Sequence, residues 1–184
     1  MLLWASIATA TTWVVAKDGT GDFGQVQLAI DVARAGDTIE VGPGTYVGAL
    51  DLRNRPISIV GRDGSAATVI DGGGADVALT ITGADVSISG ITFVNDGAGI
   101  VTRDRSDVDF VDVVLSNLSS AFSMDNGAAS FTDCTLSDNV GEKGAAIHAE
   151  AGEVSLSSSQ LSGNRADRGA DVYEVAASTI KDYK

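Results

Sequence analysis

The chain is poor in the residues that build most enzyme and metal chemistry. Its 184 residues include one cysteine, Cys134, and one histidine, His148. A lone cysteine excludes an internal disulfide and a cysteine-built zinc site. One histidine with no nucleophile-elbow motif leaves no defensible Ser-His-Asp arrangement. Cations are scarce as well: Lys plus Arg number 12 against 25 for Asp plus Glu, so the net charge is −13. That balance excludes non-specific nucleic-acid binding and docking on anionic membranes, both of which need clustered positive charge. No apolar run reaches the roughly 18 residues of a membrane-spanning helix, so no membrane insertion is expected. Aromatics are only 5% and prolines only 2.

What is present is a core of small aliphatics. Hydrophobic residues make up 44% of the chain, which excludes wholesale disorder, and they are mostly Val, Ile, Leu and Ala. With 22 glycines and many Asp, Asn and Ser between them, they imply short strands and tight turns.

The main signal is a repeat. Four segments align: 86–93 (VSISGITF), 108–115 (VDFVDVVL), 129–136 (ASFTDCTL) and 154–161 (VSLSSSQL), at offsets of 22, 21 and 25 residues. Each has apolar or small residues at its first, third, sixth and eighth positions. Spacing by two is the period of a strand with one buried face, and the step of three marks a bend or bulge between two short strands. A second signal follows each segment, small residues before an apolar one, at 97–100 (GAGI), 120–122 (SAF), 144–147 (GAAI) and 169–172 (GADV). Between the two signals lie Asn95, Asn117, Asp138-Asn139 and Gly163-Asn164, residues that tolerate left-handed backbone angles.

A unit of this size cannot bury its own apolar face, but stacked copies can. The expected fold is all-β, a right-handed, single-stranded parallel β-helix (β-solenoid). Stacking predicts one internal column from Ile88, Phe110, Phe131 and Leu156, and another from Ile91, Val113, Cys134 and Ser159. Cys134 is then a buried apolar residue and not a nucleophile. Asn95, Asn117 and Asp138 should lie above one another, with amides bonding between layers. An open coil end exposes strand edges, and the helical pattern over 23–35 reads as an N-terminal cap. The coils should occupy about 37–175 of a β-helix domain spanning 14–184. Residues 1–13 read as a signal peptide, on the small-x-small pattern of Ala8-Thr9-Ala10, or as a frayed first strand. Export to the extracellular space or cell surface is therefore expected, and either a last irregular strand or a longer natural chain would complete the C-terminal side.

Residues 15–31 (VAKDGTGDFGQVQLAID) followed by 43–46 (PGTY) resemble the opening of pectin methylesterases and related pectin-lyase-like β-helix proteins. Segments 136–139 (LSDN) with 144–147 (GAAI), and 161–164 (LSGN) with 169–173 (GADVY), are similar to the repeats of polymorphic outer-membrane proteins, with Leu in place of Phe and Ala in place of the second Gly. The resemblance implies a fold more than an activity, because the same coil carries lyases, esterases, adhesins and inert scaffolds. For the esterase it would imply paired carboxylates and an arginine. Only Asp109 and Phe110 match the family's Asp-Phe-Ile-Phe-Gly, and its Gln-Ala-Val-Ala-Leu stretch is absent, so no catalytic residue is assigned.

The remaining candidates are outward carboxylates. Asp107, Asp109 and Asp112 flank inward Val108, Phe110 and Val113; stacking places Asp133 over Asp112, and Asp85 under Asp107. Together Asp107, Asp109, Asp112 and Asp133 form the candidate ligand-binding set, and Asp109, Asp112 and Asp133 a candidate Ca²⁺ site, since a hard divalent ion relieves repulsion between carboxylates. A solvated acidic face is the plainer reading. No other cofactor is implied. His148 should face outward, stacked on Tyr173. Lys143, Arg165 and Arg168 offset the acidic excess. The leading expectation is a non-catalytic exported scaffold that contacts an extracellular polysaccharide or surface protein. Two alternatives stand beside it: a pectin-lyase-like polysaccharide-active enzyme, Ca²⁺-assisted, and a unit that self-associates through its coil ends.

Overall fold

The computed structural model describes residues 9–94 and 97–181, with side chains as far as residue 173. The spacing by two becomes parallel strands wound into a β-helix of about seven turns. Eight strands stack as the first face: Thr12–Val15, Thr38–Val41, Ile57–Gly61, Val86–Val94, Ser106–Ser116, Gly127–Thr132, Ile147–Ser157 and Val172–Lys181. A second face contains Gly44–Val47, Thr68–Asp71, Thr135–Ser137 and Gln160–Ser162, joined by the later halves of Val86–Val94 and Ser106–Ser116. The third stacks Leu50–Arg53, Val77–Thr82, Ala98–Arg103, Ser120–Met124 and the start of Ile147–Ser157.

Register converts the repeat into contacts. Ile59 pairs with Ile88, Ile88 with Phe110, Phe110 with Phe131, and Phe131 with Leu156, and each of these side chains is buried. Phe122 enters from the third face and meets Phe110 and Phe131 edge-on. Ile91, Val113 and Cys134 are buried in the neighbouring column, while Ser159 is half-buried and its hydroxyl accepts the Cys134 N–H at 3.0 Å. Burial pushes the Cys134 thiol pKa up, which keeps it protonated and inert.

The step of three has a single-residue cause. Gly90, Asp112, Asp133 and Ser158 take left-handed backbone angles of 65°, 52°, 54° and 52° at the same corner, turning the first face into the second. The next corner uses Asn117 and Asp138, both at φ 57° and exposed, and Gly163 at φ 67°. Asn95, expected in that stack, lies outside the described residues. The amides that bond between layers are one position further on than expected. Asn139 and Asn164 are buried, and the Asn139 Nδ2 donates to Asn164 Oδ1 at 2.9 Å and to Leu115 O at 3.1 Å. The Asn139 Oδ1 accepts the Leu118 N–H, and Asn164 Nδ2 donates to Leu136 O. The left-handed residue turns outward, so the following residue points inward and meets the orphaned main-chain groups of the corner.

The cap is shorter than the pattern over 23–35 implies. The helix runs Val26–Val32, because Phe23 is used in a bridge to Val15. Val26, Ala29 and Ile30 close the base of the core. Arg55 Nη1 donates to the Ile30, Asp31 and Ala33 carbonyls, which satisfies the helix C-terminus. Gln27 pairs the open edge of Leu50–Arg53: its Nε2 donates to Asp51 O and its Oε1 accepts the Asp51 N–H. On the first face, Val14 N–H donates to Asp22 Oδ2 and Val14 O accepts the Phe23 N–H. The coil starts at Thr12, inside the segment read as a leader or frayed end, and its last strand runs to Lys181 and not to about 175.

Candidate functional site

The four candidate carboxylates separate into two places. Asp107, Asp109, Asp112 and Asp133 are all exposed, as their flanking residues required. Asp107 and Asp109 lie on the outer side of the first face, and each is anchored to the next coil. The Ala128 N–H donates to Asp107 Oδ1 at 2.9 Å, and the Ser130 hydroxyl donates to Asp109 Oδ1 at 2.6 Å. Asp112 and Asp133 lie at the corner beyond, in left-handed conformation. The Asp112 carboxylate accepts the Ser65 N–H at 3.1 Å and the Ser65 hydroxyl at 2.8 Å, so it tethers the loop before Thr68. Asp133 stacks over Asp112 in the coil register, and its N–H donates to Ser157 O. Among the described residues, no three of His, Cys, Asp and Glu converge as a metal-holding group. The expected trio of Asp109, Asp112 and Asp133 is thus divided between a face and a corner.

Asp107 is the centre of the outer first face. Three shallow concavities meet at it. One, of about 390 Å³, is bordered by Pro56, Ser58, Asp85, Ser87, Asp107 and Asp109. A smaller one, of about 90 Å³, includes Asp107, Asp109, Ser130, Glu153 and Ser155. The third, of about 570 Å³, is lined by Arg105, Asp107, Asn126, Gly127, Ala128, Ala151 and Gly152. Together they make a shallow groove along the coil axis, lined by hydroxyls and carboxylates in its first two parts and by Arg105, Asn126, glycine and alanine in the third.

The corner is cut back by glycine. Gly127 and Gly152 have φ of 117° and 105°, and a Cβ on Gly152 would lie 2.1 Å from Gly127 O. Each Cβ position is taken by main chain of the preceding coil, so only glycine fits and bare main chain lines this part of the surface beside Asp107. Below them Asp104 and Arg105 are both left-handed, at φ 55° and 58°. Two successive non-glycine residues in that region store strain. Ser106 holds the turn: buried, it donates from Oγ to Arg103 O at 2.7 Å. The result places Arg105 at the groove edge. Asn126 carries a buried Oδ1 that has no hydrogen-bond partner among the described residues, at the wall of the same concavity.

Sequence reasoning identified Asp107 and Asp109 from their alternation with core residues. It missed Asn126 and the glycine corner. The signal was available: Gly127 and Gly152 are separated by the same offset as Ala129 and Val154 in the aligned segments. His148 and Tyr173 meet as expected, with ring centroids 5.4 Å apart, but on the third face and away from the groove. The 72–74 glycines form a turn in which the Gly73 N–H donates to Asp71 Oδ1.

No family model and no curated protein matches this chain. Among solved structures it is similar to a crystal structure of pectin methylesterase in complex with hexasaccharide VII, with a TM-score of 0.56 and 19% sequence identity. The match covers 81% of this chain and 56% of that one, so the chain spans little more than half the length of the neighbour. At this identity the likeness establishes the β-helix fold.

Proposed function

We propose that the protein is a non-catalytic, exported β-helix module that binds a hydroxyl-rich polysaccharide along the outer first face. The observation that carries the reading is the position of Asp107, where three concavities of the groove join. A neighbour solved with a bound hexasaccharide, sharing this coil architecture, supports a glycan ligand. Carboxylates accept hydrogen bonds from vicinal hydroxyls, and charge-assisted bonds of this kind are the strong ones. Asp107 and Asp109 are already held by Ala128 and Ser130, so little side-chain freedom is lost when a ligand arrives. Asp85, Asp107, Asp109 and Glu153 make the groove negative, which favours a neutral chain over a uronate.

The test is calorimetric titration with neutral and uronate oligosaccharides of equal length, on the wild type and on Asp107→Asn and Asp109→Asn. Binding of a neutral chain that weakens by about tenfold in Asp107→Asn supports the reading. Binding unchanged in both variants removes it. Release of unsaturated or de-esterified product from a uronate polymer would replace it with the polysaccharide-active enzyme.

A further inference from the structure

A second cluster lies outside that groove. The strands Val140–Lys143 and Arg165–Arg168 form a separate parallel pair in which Lys143 is opposite Arg168. Residues paired in this way project to the same side, about 4.8 Å apart. Both are exposed. Lys143 Nζ stands 5.5 Å from the centre of the Tyr173 ring, and the His148 ring meets Tyr173 at 63°. Gly144 makes this packing feasible, because a Cβ there would lie 3.0 Å from Tyr173 Cβ.

In a chain of net charge −13, neither of these two cations forms an ion pair with a carboxylate among the described residues. Among the described residues the ion pairs within 4.0 Å are Arg53–Asp51 and Arg62–Glu40. Glu142 and Asp167 alternate to the opposite side of the two strands, and the Asp171 carboxylate accepts a hydrogen bond from Asn164 Nδ2. Adjacent like charges repel. An anion lying between them would relieve that repulsion and accept charge-assisted hydrogen bonds from both.

We propose that Lys143, Arg168, His148 and Tyr173 form a site for a sugar ring bearing an anionic substituent, a sulfate ester or a carboxylate. The two cations hold the anionic oxygens, and the His148–Tyr173 aromatic pair receives the apolar face of the ring. The site is independent of the Asp107 groove, so either can fail without the other.

The experiment titrates the full chain with a sulfated, a uronate and a neutral trisaccharide, and with sodium sulfate alone. Binding is followed by calorimetry and by the proton resonances of the Tyr173 and His148 rings. The expected result is binding of an anionic sugar, weakened by added salt, with shifts at both rings and none with the neutral sugar. Which anionic arm binds distinguishes ester from carboxylate. The double variant Lys143→Gln with Arg168→Gln, both exposed, should lose about tenfold in affinity. Asp107→Asn should leave this binding unchanged. The proposal is overturned if neither anionic sugar binds at millimolar concentration, if the double variant binds as the wild type does, or if sodium sulfate alone binds as tightly as the sulfated sugar.

Discussion

Phe110 and Phe131 lie with ring centroids 4.7 Å apart and planes inclined by only 17°, one directly above the other in successive coils. The two are fully enclosed, and Phe122 closes against both at 5.7 and 5.2 Å. Apart from Phe93 and Tyr46 the rest of the buried core is aliphatic, so the loss of a ring from this trio cannot be absorbed by small neighbours.

Phe131→Ala should therefore destabilise the fold by about 3–5 kcal/mol, the usual range for deleting a buried aromatic ring. Phe131→Leu should cost much less, because it keeps most of the volume. Denaturant midpoints of the two variants check this, and equal midpoints would show that the rings contribute no specific packing.

Asn139 takes part in hydrogen bonds that join three coils. Its replacement by Ala leaves Leu118 N–H, Leu115 O and the Asn164 amide short of partners in a dry corner. The expected loss is about 2–4 kcal/mol, more than for exposed Asn117→Ala, where only the strain of alanine in a left-handed position, about 1 kcal/mol, should be felt. Thermal unfolding of the pair measures the difference.

Asp37 reports acid sensitivity at the N-terminal strand. Its carboxylate accepts N–H bonds from Arg34 and Thr11 at 2.9 and 2.8 Å, and one from Trp13 Nε1 at 3.0 Å. These bonds, that from Arg34 foremost, hold its pKa below the ordinary carboxylate value. The folded pKa is depressed, so the stabilisation is complete above the unfolded value of about 3.9 and is lost as pH falls through the folded one. Trp13 fluorescence should follow this loss in an acid titration. In Asp37→Asn the neutral-pH stability should drop and the acid-dependent component at this strand should vanish.

Gly152→Ala should destabilise by about 1–3 kcal/mol, since it combines an unfavourable φ with a clash on Gly127 O. A crystal structure or melting curve that accepts the alanine without change would show the corner to be more yielding than its geometry implies.

Calcium gives a separate check of the acidic face. Asp112 is committed to Ser65, and the candidate trio does not converge. Millimolar Ca²⁺ should leave the melting temperature unchanged; a clear rise would restore a metal-assisted polyuronate reading.

The coil was legible because its periodicity is enforced at every rung. Ile88, Phe110, Phe131 and Leu156 occupy one column for the same reason that their sequence positions align. Burial of Cys134 and the outward direction of Asp107 follow from that register alone. Bend chemistry was less legible. Asn117 and Asp138 stand out as turn formers, yet the bonded amides belong to Asn139 and Asn164, because a left-handed residue reverses which neighbour faces inward. The clustering of Lys143 with Tyr173 was hidden for a different reason. It depends on a turn between two faces, where spacing by two no longer reports direction. The division of Asp109 from Asp112 has the same origin: Asp112 is itself the left-handed corner residue at which the chain is redirected.

Gln27 pairs with both main-chain groups of Asp51, and Phe23 with the Val14 carbonyl. These bonds give the solenoid a polarity. A foreign strand approaching from the helix side meets an edge already hydrogen-bonded, and would have to strip away a glutamine and unzip a bridge before it could add. At the first and third faces templated growth in that direction is blocked by two side contacts rather than by bulk, and removing Gln27 alone would reopen the third to aggregation.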